Sequence, residues 1–181
     1  METAFGANAT WASPTQELLI DDETRTVEYK QTARWNVREQ RRDKRMEQVV
    51  VKTVAGLLND RGGTLLIGVT DNREPVGLHD DYAQVKPPNA DGYVNWLDTL
   101  FENNLGHAGA NRLDIRIDRV NNHDICRIDI PASSRPIWTK TKTGGLLLYQ
   151  RRNNSTRQVP EAETETFITE RFGQQQSGVF S

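Results

Sequence analysis

Cysteine and histidine are the scarcest reactive side chains in this sequence, and their scarcity removes several functions at once. Cys126 stands alone among 181 residues, so no disulfide forms within the chain, a usage that fits a reducing compartment. His79, His107 and His123 are scattered, which leaves no basis for a zinc site of the Cys/His type. No apolar run approaches the roughly 18 residues that a membrane span requires. Residues 1–14 have no basic stretch followed by an apolar one, so they do not read as a secretion signal. A cytoplasmic location is the resulting expectation. An excess of positive charge is missing too: the net charge is −2, which excludes a wholesale basic coat for nucleic acid.

The distribution of charge differs from its total. Between Arg25 and Lys52 there are nine Lys/Arg against four acids, a local excess of +5 in a chain whose total is −2. Such a stretch suits contact with phosphates, and such contacts weaken as salt rises. A solvated loop and helix face is the plainer reading of the same residues.

The order of elements follows from periodicity. Residues 1–16 are small and polar and are expected to be a flexible lead-in, with a second tail over 173–181. The segment 26–30 alternates, which sets Val27 and Tyr29 on one side of a strand and Glu28 with Lys30 on the other. The next residues, 31–44, are basic and without period and predict a long loop containing Trp35. Met46, Val49, Val50, Val54, Leu57 and Leu58 recur at helical spacing. Gly62 and Gly63 stop that helix, and the apolar run 64–69 predicts a strand buried on both faces. A short strand over 75–78 and a second helix over 91–103 follow. Residues 113–117 and 126–130 alternate on either side of Asn121-Asn122-His123, the pattern of a hairpin. Short strands near 137–138 and 146–150 and a last helix over 160–172 complete one α/β domain spanning 17–172.

Several motifs are set aside on their order. The glycines of Gly62-Gly63-Thr64-Leu65-Leu66-Ile67-Gly68 follow a helix and precede a strand. A phosphate-binding loop has the reverse order and a following Gly-Lys-Ser/Thr, so ATP binding has no support. There is no His-Glu-x-x-His pair and no Gly-x-Ser-x-Gly elbow. Cys126 lies mid-strand on an apolar face, where it reads as a packing residue.

One combination is specific. Glu23-x4-Glu28-Tyr29-Lys30 is followed by the basic segment, by Leu57-Leu58-Asn59 and by Gly62-Gly63-Thr64-Leu65-Leu66-Ile67-Gly68-Val69-Thr70-Asp71. Ser133-x-Arg135-Pro136 and Tyr149-Gln150-Arg151-Arg152-Asn153-Asn154-Ser155-Thr156 come later. In order and spacing this resembles the Schlafen AlbA-like domain over about 150 residues. The resemblance implies an α/β (α+β) fold, a single domain with a mixed or antiparallel sheet flanked by helices.

It also implies a candidate chemistry. In nuclease-active members three carboxylates bind a divalent metal and cleave transfer or ribosomal RNA; the matching positions are Glu23, Glu28 and Asp71. Thr70 stands where many members carry a second acid. Mg²⁺ or Mn²⁺ is the cation that an all-oxygen site of this kind takes. Lys30, on the strand face of Glu28, is a candidate partner for the scissile phosphate. Against this, Glu23 reads equally as a loop carboxylate, Glu28 and Lys30 as an exposed strand pair, and Asp71 as a turn residue.

For nucleic-acid contact the candidates are Arg34, Trp35, Arg38, Arg41, Arg42, Lys44, Arg45, Arg151 and Arg152. Trp35 suits either stacking on an unpaired base or a partly buried core position. Three functions stay open at this point. They are a metal-dependent endoribonuclease acting on structured RNA such as tRNA, a non-catalytic DNA- or RNA-binding module of a bacterial regulator or defence protein, and an interaction domain. In the duplicated members two copies build one groove, so a homodimer is a further expectation.

Overall fold

The structure, a computed structural model, describes Trp11 and residues 13–173. The parts of the expected tails at 1–10 and 174–181 lie outside the described residues. Four strands form the central sheet, in the order β1 (Val27–Lys30), β4 (Gly63–Ile67), β6 (His123–Ile130) and β5 (Asp114–Val120). β1 runs parallel to β4, while β4–β6 and β6–β5 are antiparallel, so the sheet is mixed. The expected α+β class with a mixed sheet is what the chain adopts.

One face of the sheet carries the main core. There Leu65, Ile67, Cys126, Ile128 and Ile130 meet two helices, α1 (Lys44–Leu58) and the helical stretch α3 (Ala90–Ala110), through Val50, Val54, Leu58, Leu97 and Phe101. Burial pushes the Cys126 thiol far up its titration range, in keeping with a packing role. A short helix, α2 (His79–Tyr82), precedes α3. The expected end of α3 at 103 is too early. Helical residues continue to Ala110, with a break at Gly106 (φ 70°, ψ 174°), because Leu105 and Ala110 still have core to cover.

The opposite face is smaller, with Val27, Tyr29, Leu66, Val69, Val120 and Ile125 clustered under Leu18 and Leu19. Beside them is a polar patch: Arg127, 1% exposed, bonds Asp129, which also takes Arg116 and the Thr64 hydroxyl. Arg127 also donates to the carbonyl of Ser13 (2.7 Å) and to Thr15 Oγ1 (3.1 Å). The indole of Trp11 donates to the Gly63 carbonyl at 3.2 Å. Trp11 and residues 13–16, expected to be part of a flexible lead-in, are therefore tied across this face. The reason is a buried guanidinium, which needs more acceptors than Asp129 alone supplies.

A second sheet of three strands, β7 (Trp138–Lys140), β8 (Leu146–Arg152) and β9 (Ser155–Gln158), packs on α1. α1 approaches β9 so closely that a Cβ at Gly56 would sit 2.5 Å from the Thr156 methyl. The helix α4 (Thr164–Phe172) follows a short 3₁₀ turn, Glu161–Glu163. The expected strand over 75–78 reduces to one bridge, Val69 with Pro75. The predicted hairpin is present: Asn121 (φ 49°) and Asn122 (φ 64°) turn β5 into β6 in the conformation that asparagine tolerates. The loop expected over 31–44 contains a small hairpin, β2 (Trp35–Asn36) and β3 (Arg41–Arg42), and α1 begins inside it at Lys44. Asp43 caps that helix by accepting the Arg45 N–H at 2.9 Å.

The C-terminal end of α1 is where these parts join. Asn59 Nδ2 donates to the carbonyls of Ile137 (3.0 Å) and Tyr149 (2.9 Å), and its Oδ1 accepts the Ile137 N–H at 2.8 Å. The freed helix carbonyls find donors as well: Leu57 takes the Gly62 N–H and Leu58 takes the Ser133 N–H. Gly62 has φ 71°, and a Cβ there would lie 2.4 Å from the Ile130 carbonyl oxygen. Replacing Asn59 by Ala strands these buried partners. Its expected effect is a loss of roughly 3 kcal/mol, read as a lower urea midpoint with unchanged slope.

Candidate nucleic-acid interface

The period-2 alternation of β1 directs Glu28 and Lys30 to one side, and the structure brings them into contact. Lys30 Nζ lies 2.5 Å from Glu28 Oε1. The other oxygen, Oε2, lies 2.7 Å from Arg151 Nη2, delivered by β8. Arg151 also donates to the carbonyls of Thr24 (2.9 Å) and Arg25 (3.2 Å). Both partners are buried, with side-chain exposures of 1% for Arg151 and 9% for Glu28. This cluster fastens the edge strand β1 and the turn before it to the second sheet.

Glu23 is engaged nearby, its Oε1 accepting the Tyr29 N–H at 3.0 Å. Tyr29 is held by its other end, its hydroxyl donating to the carbonyls of Leu18 and Asp21, and burial pushes that hydroxyl up to about 12. Asp71 is exposed in the turn after β4, where Thr70 and Arg73 close the bend. Glu28 therefore projects from β1, Glu23 bonds the backbone of that strand, and Asp71 stands in a turn beyond β4. Among the described residues no group of three or more His, Cys, Asp or Glu is gathered to hold a metal ion. Glu28 has a cation on each oxygen and Glu23 an amide on one of its own, so these residues as arranged do not fit a divalent ion.

The basic segment has a different anchor. Asp81, 1% exposed, accepts the N–H groups of three consecutive residues, Ala33 (2.7 Å), Arg34 (3.1 Å) and Trp35 (2.9 Å). The Tyr93 hydroxyl makes a fourth bond at 2.7 Å. Burial raises the Asp81 carboxyl above its ordinary range against the pull of those donors. The base of the β2–β3 hairpin is thereby fixed to α2, whose Asp81 is held in turn by Tyr93 near the start of α3. Nothing in the local pattern around Asp81 marks it for this role, since its partners lie far away in the sequence.

The structure sorts the candidate cations by environment. Arg34, expected among the phosphate contacts, is buried: its Nε lies 3.3 Å from Glu47 Oε1 and its guanidinium 4.7 Å from the Trp96 ring. Arg151 is buried in the cluster just described. Trp35 is partly buried, with its indole N–H enclosed. Arg38, Arg41, Arg42, Lys44, Arg45 and Arg152 are exposed. Arg42 leans on Glu47 at 3.6 Å, Arg41 pairs with Glu39, and Arg45 pairs with Glu39 and Asp43. Arg38, Lys44 and Arg152 have no ion-pair partner among the described residues. What the arrangement offers is a cationic hairpin and helix start on a rigid mount.

The Arg151 cluster yields a clear expectation. Arg151→Ala leaves Glu28 buried beside a single cation and frees two backbone carbonyls, a loss of about 3–5 kcal/mol for a broken buried pair. Chemical denaturation measures it. Arg152→Ala, at the exposed neighbouring position, is expected to leave the midpoint unchanged.

No curated protein matches the chain significantly. Among solved structures, the crystal structure of the DIP2311 protein from Corynebacterium diphtheriae is similar with a TM-score of 0.56 at 18% identity. The match covers 86% of this chain and 31% of that one, so the chain spans about a third of that protein's length, and at this identity the likeness is one of fold. The family described as Schlafen, AlbA_2 matches residues 23–160, a span that runs from Glu23 through the basic hairpin and the α1 junction to the end of β9. The chain belongs to the Schlafen AlbA_2 family.

Proposed function

We propose that this domain binds nucleic acid through phosphate contacts made by the β2–β3 hairpin and the first turn of α1. The observation that carries the proposal is the set of exposed cations there, Arg38, Arg41, Arg42, Lys44 and Arg45, on a hairpin whose base is pinned by Asp81. A pinned base lowers the ordering cost of contact, and guanidinium groups suit phosphate oxygens. Arg152 extends the cationic set on the β8–β9 hairpin. Family membership supports the same reading.

The test is a titration of labelled RNA and DNA at low and moderate salt. Binding is expected to fall steeply with salt and to be indifferent to EDTA. Arg41→Gln, Arg42→Gln and Arg45→Gln combined are expected to weaken it about tenfold or more and to flatten the salt slope by roughly two to three units. A flat titration of the wild type at low salt overturns the proposal.

A second reading, a metal-dependent endoribonuclease acting on structured RNA such as tRNA, rests on the family and on Glu23 bonding the backbone of the strand that carries Glu28. Because Glu28 is taken up by Lys30 and Arg151, no reaction step is assigned to a metal. Incubation of tRNA with the protein and Mn²⁺ tests it. Cleavage by the wild type that disappears in Glu28→Gln supports the reading, and equal survival of the RNA in both removes it. Gln is the appropriate replacement, since it keeps the volume between Lys30 and Arg151. Pairing of two copies and a preference for RNA over DNA belong to this proposal on the ground of the resemblance, and a cytoplasmic setting on the single cysteine of the sequence.

A further inference from the structure

We infer that Arg41 and Arg45 form a phosphate site whose place is held in the free protein by the carboxylate of Glu39. The inference deepens the nucleic-acid reading and rests on it. Glu39 lies in the hairpin turn over residues 37–40. Its N–H donates to Asn36 Oδ1 at 3.0 Å, and Asn36 Nδ2 in turn donates to Asp43 Oδ2 at 3.0 Å. The turn is thus fixed from within, and the Glu39 carboxylate is delivered between two guanidinium groups. Arg45 Nη2 lies 3.1 Å from Oε1 and 3.3 Å from Oε2, and Arg41 Nη2 bonds Oε2. Two guanidinium groups closing on one pair of anionic oxygens is also the geometry that holds a phosphodiester.

Three acids occupy the segment 34–47, and only Glu39 is free to leave. Asp43 caps α1, bonds Arg45 through both oxygens and is 4% exposed. Glu47 is buried between Arg34 and Arg42. Removing either would uncap a helix or strand a buried guanidinium. Glu39 is 39% exposed at its side chain, as are Arg41 (58%) and Arg45 (66%). An exposed ion pair contributes little to stability, so an arriving phosphate displaces Glu39 at small cost and inherits both guanidinium groups. Arg45 keeps Asp43 throughout, which holds it in position as Glu39 swings out. Glu39 then sets the affinity: it screens the pair against weak anions and lowers binding by about the strength of one surface ion pair.

The test compares Glu39→Gln with Glu165→Gln, which makes the same change of charge on α4. Both substitutions are at exposed positions and are expected to leave the fold intact. With a labelled RNA hairpin as probe, Glu39→Gln is expected to bind roughly two- to five-fold tighter than wild type. Its slope of log affinity against log salt is expected to be steeper by about one unit. Glu165→Gln is expected to match wild type. Adding Arg41→Gln or Arg45→Gln to Glu39→Gln is expected to abolish the gain. If wild type binds the hairpin but Glu39→Gln binds no tighter than Glu165→Gln, the inference is overturned and Glu39 is only a brace of the turn. If the wild type itself does not bind, the nucleic-acid reading fails first and the inference falls with it.

Discussion

The last turn of α1 is the constraint on which the rest of this structure depends. A helix that ends inside a protein leaves carbonyls without partners, and each must be answered. Here the answers come from several parts of the chain. Asn59 supplies the edge contacts of β7 and β8, Gly62 returns to Leu57, and Ser133 returns to Leu58. Asp60, next in line, takes a two-pronged bond from Arg25, just before β1. Both sheets are thereby registered against one helix end. Much of the family pattern becomes intelligible as a consequence. Leu57-Leu58-Asn59, Gly62-Gly63 and Ser133-x-Arg135-Pro136 are pieces of one junction, widely spaced in sequence because the junction gathers distant segments.

The arginines divide into two populations with opposite uses. Arg34, Arg127 and Arg151 are buried, each answered by a carboxylate and by backbone carbonyls or an aromatic face. A buried guanidinium is stable only with such partners, so these three position chain segments and do not meet solvent ligands. Arg38, Arg41, Arg42 and Arg45 lie at the surface of the small hairpin. There, ion pairing is weak and exchangeable, which suits an interface that must open to a polyanion. The net charge of −2 is compatible with this, because contact is local and the Debye length is only about 10 Å near 0.1 M salt. The same contrast governs the carboxylates: Glu28 and Asp81 are held by donors that fix them, and Glu39 by donors that can release it.

Much of the fold was legible in the residues. Period-2 alternation placed Glu28 beside Lys30, helical spacing found α1 and most of α3, and Asn121-Asn122 announced the hairpin it makes. The failures share a cause. The segment 31–44 lacks a period, yet it forms β2 and β3, because Asp81 and Tyr93 organise it from outside. The lead-in before Glu17 looked unstructured because nothing in it shows that Arg127 requires its carbonyls.

The sequence by itself determined the order of elements, the apolar faces, the Asn121-Asn122 turn and the basic character of one segment. These depend on neighbours within one or two turns of the chain, where spacing is information. Only the tertiary structure decided which charges are spent inside the protein. Arg151 and Arg152 are adjacent and identical in type, yet one closes on Glu28 beneath the sheet edge and the other faces water. The alternation of β8 says that they point apart, but not which side meets β1. That choice is made by the packing of β8 on α1, a contact between distant segments that no local pattern records.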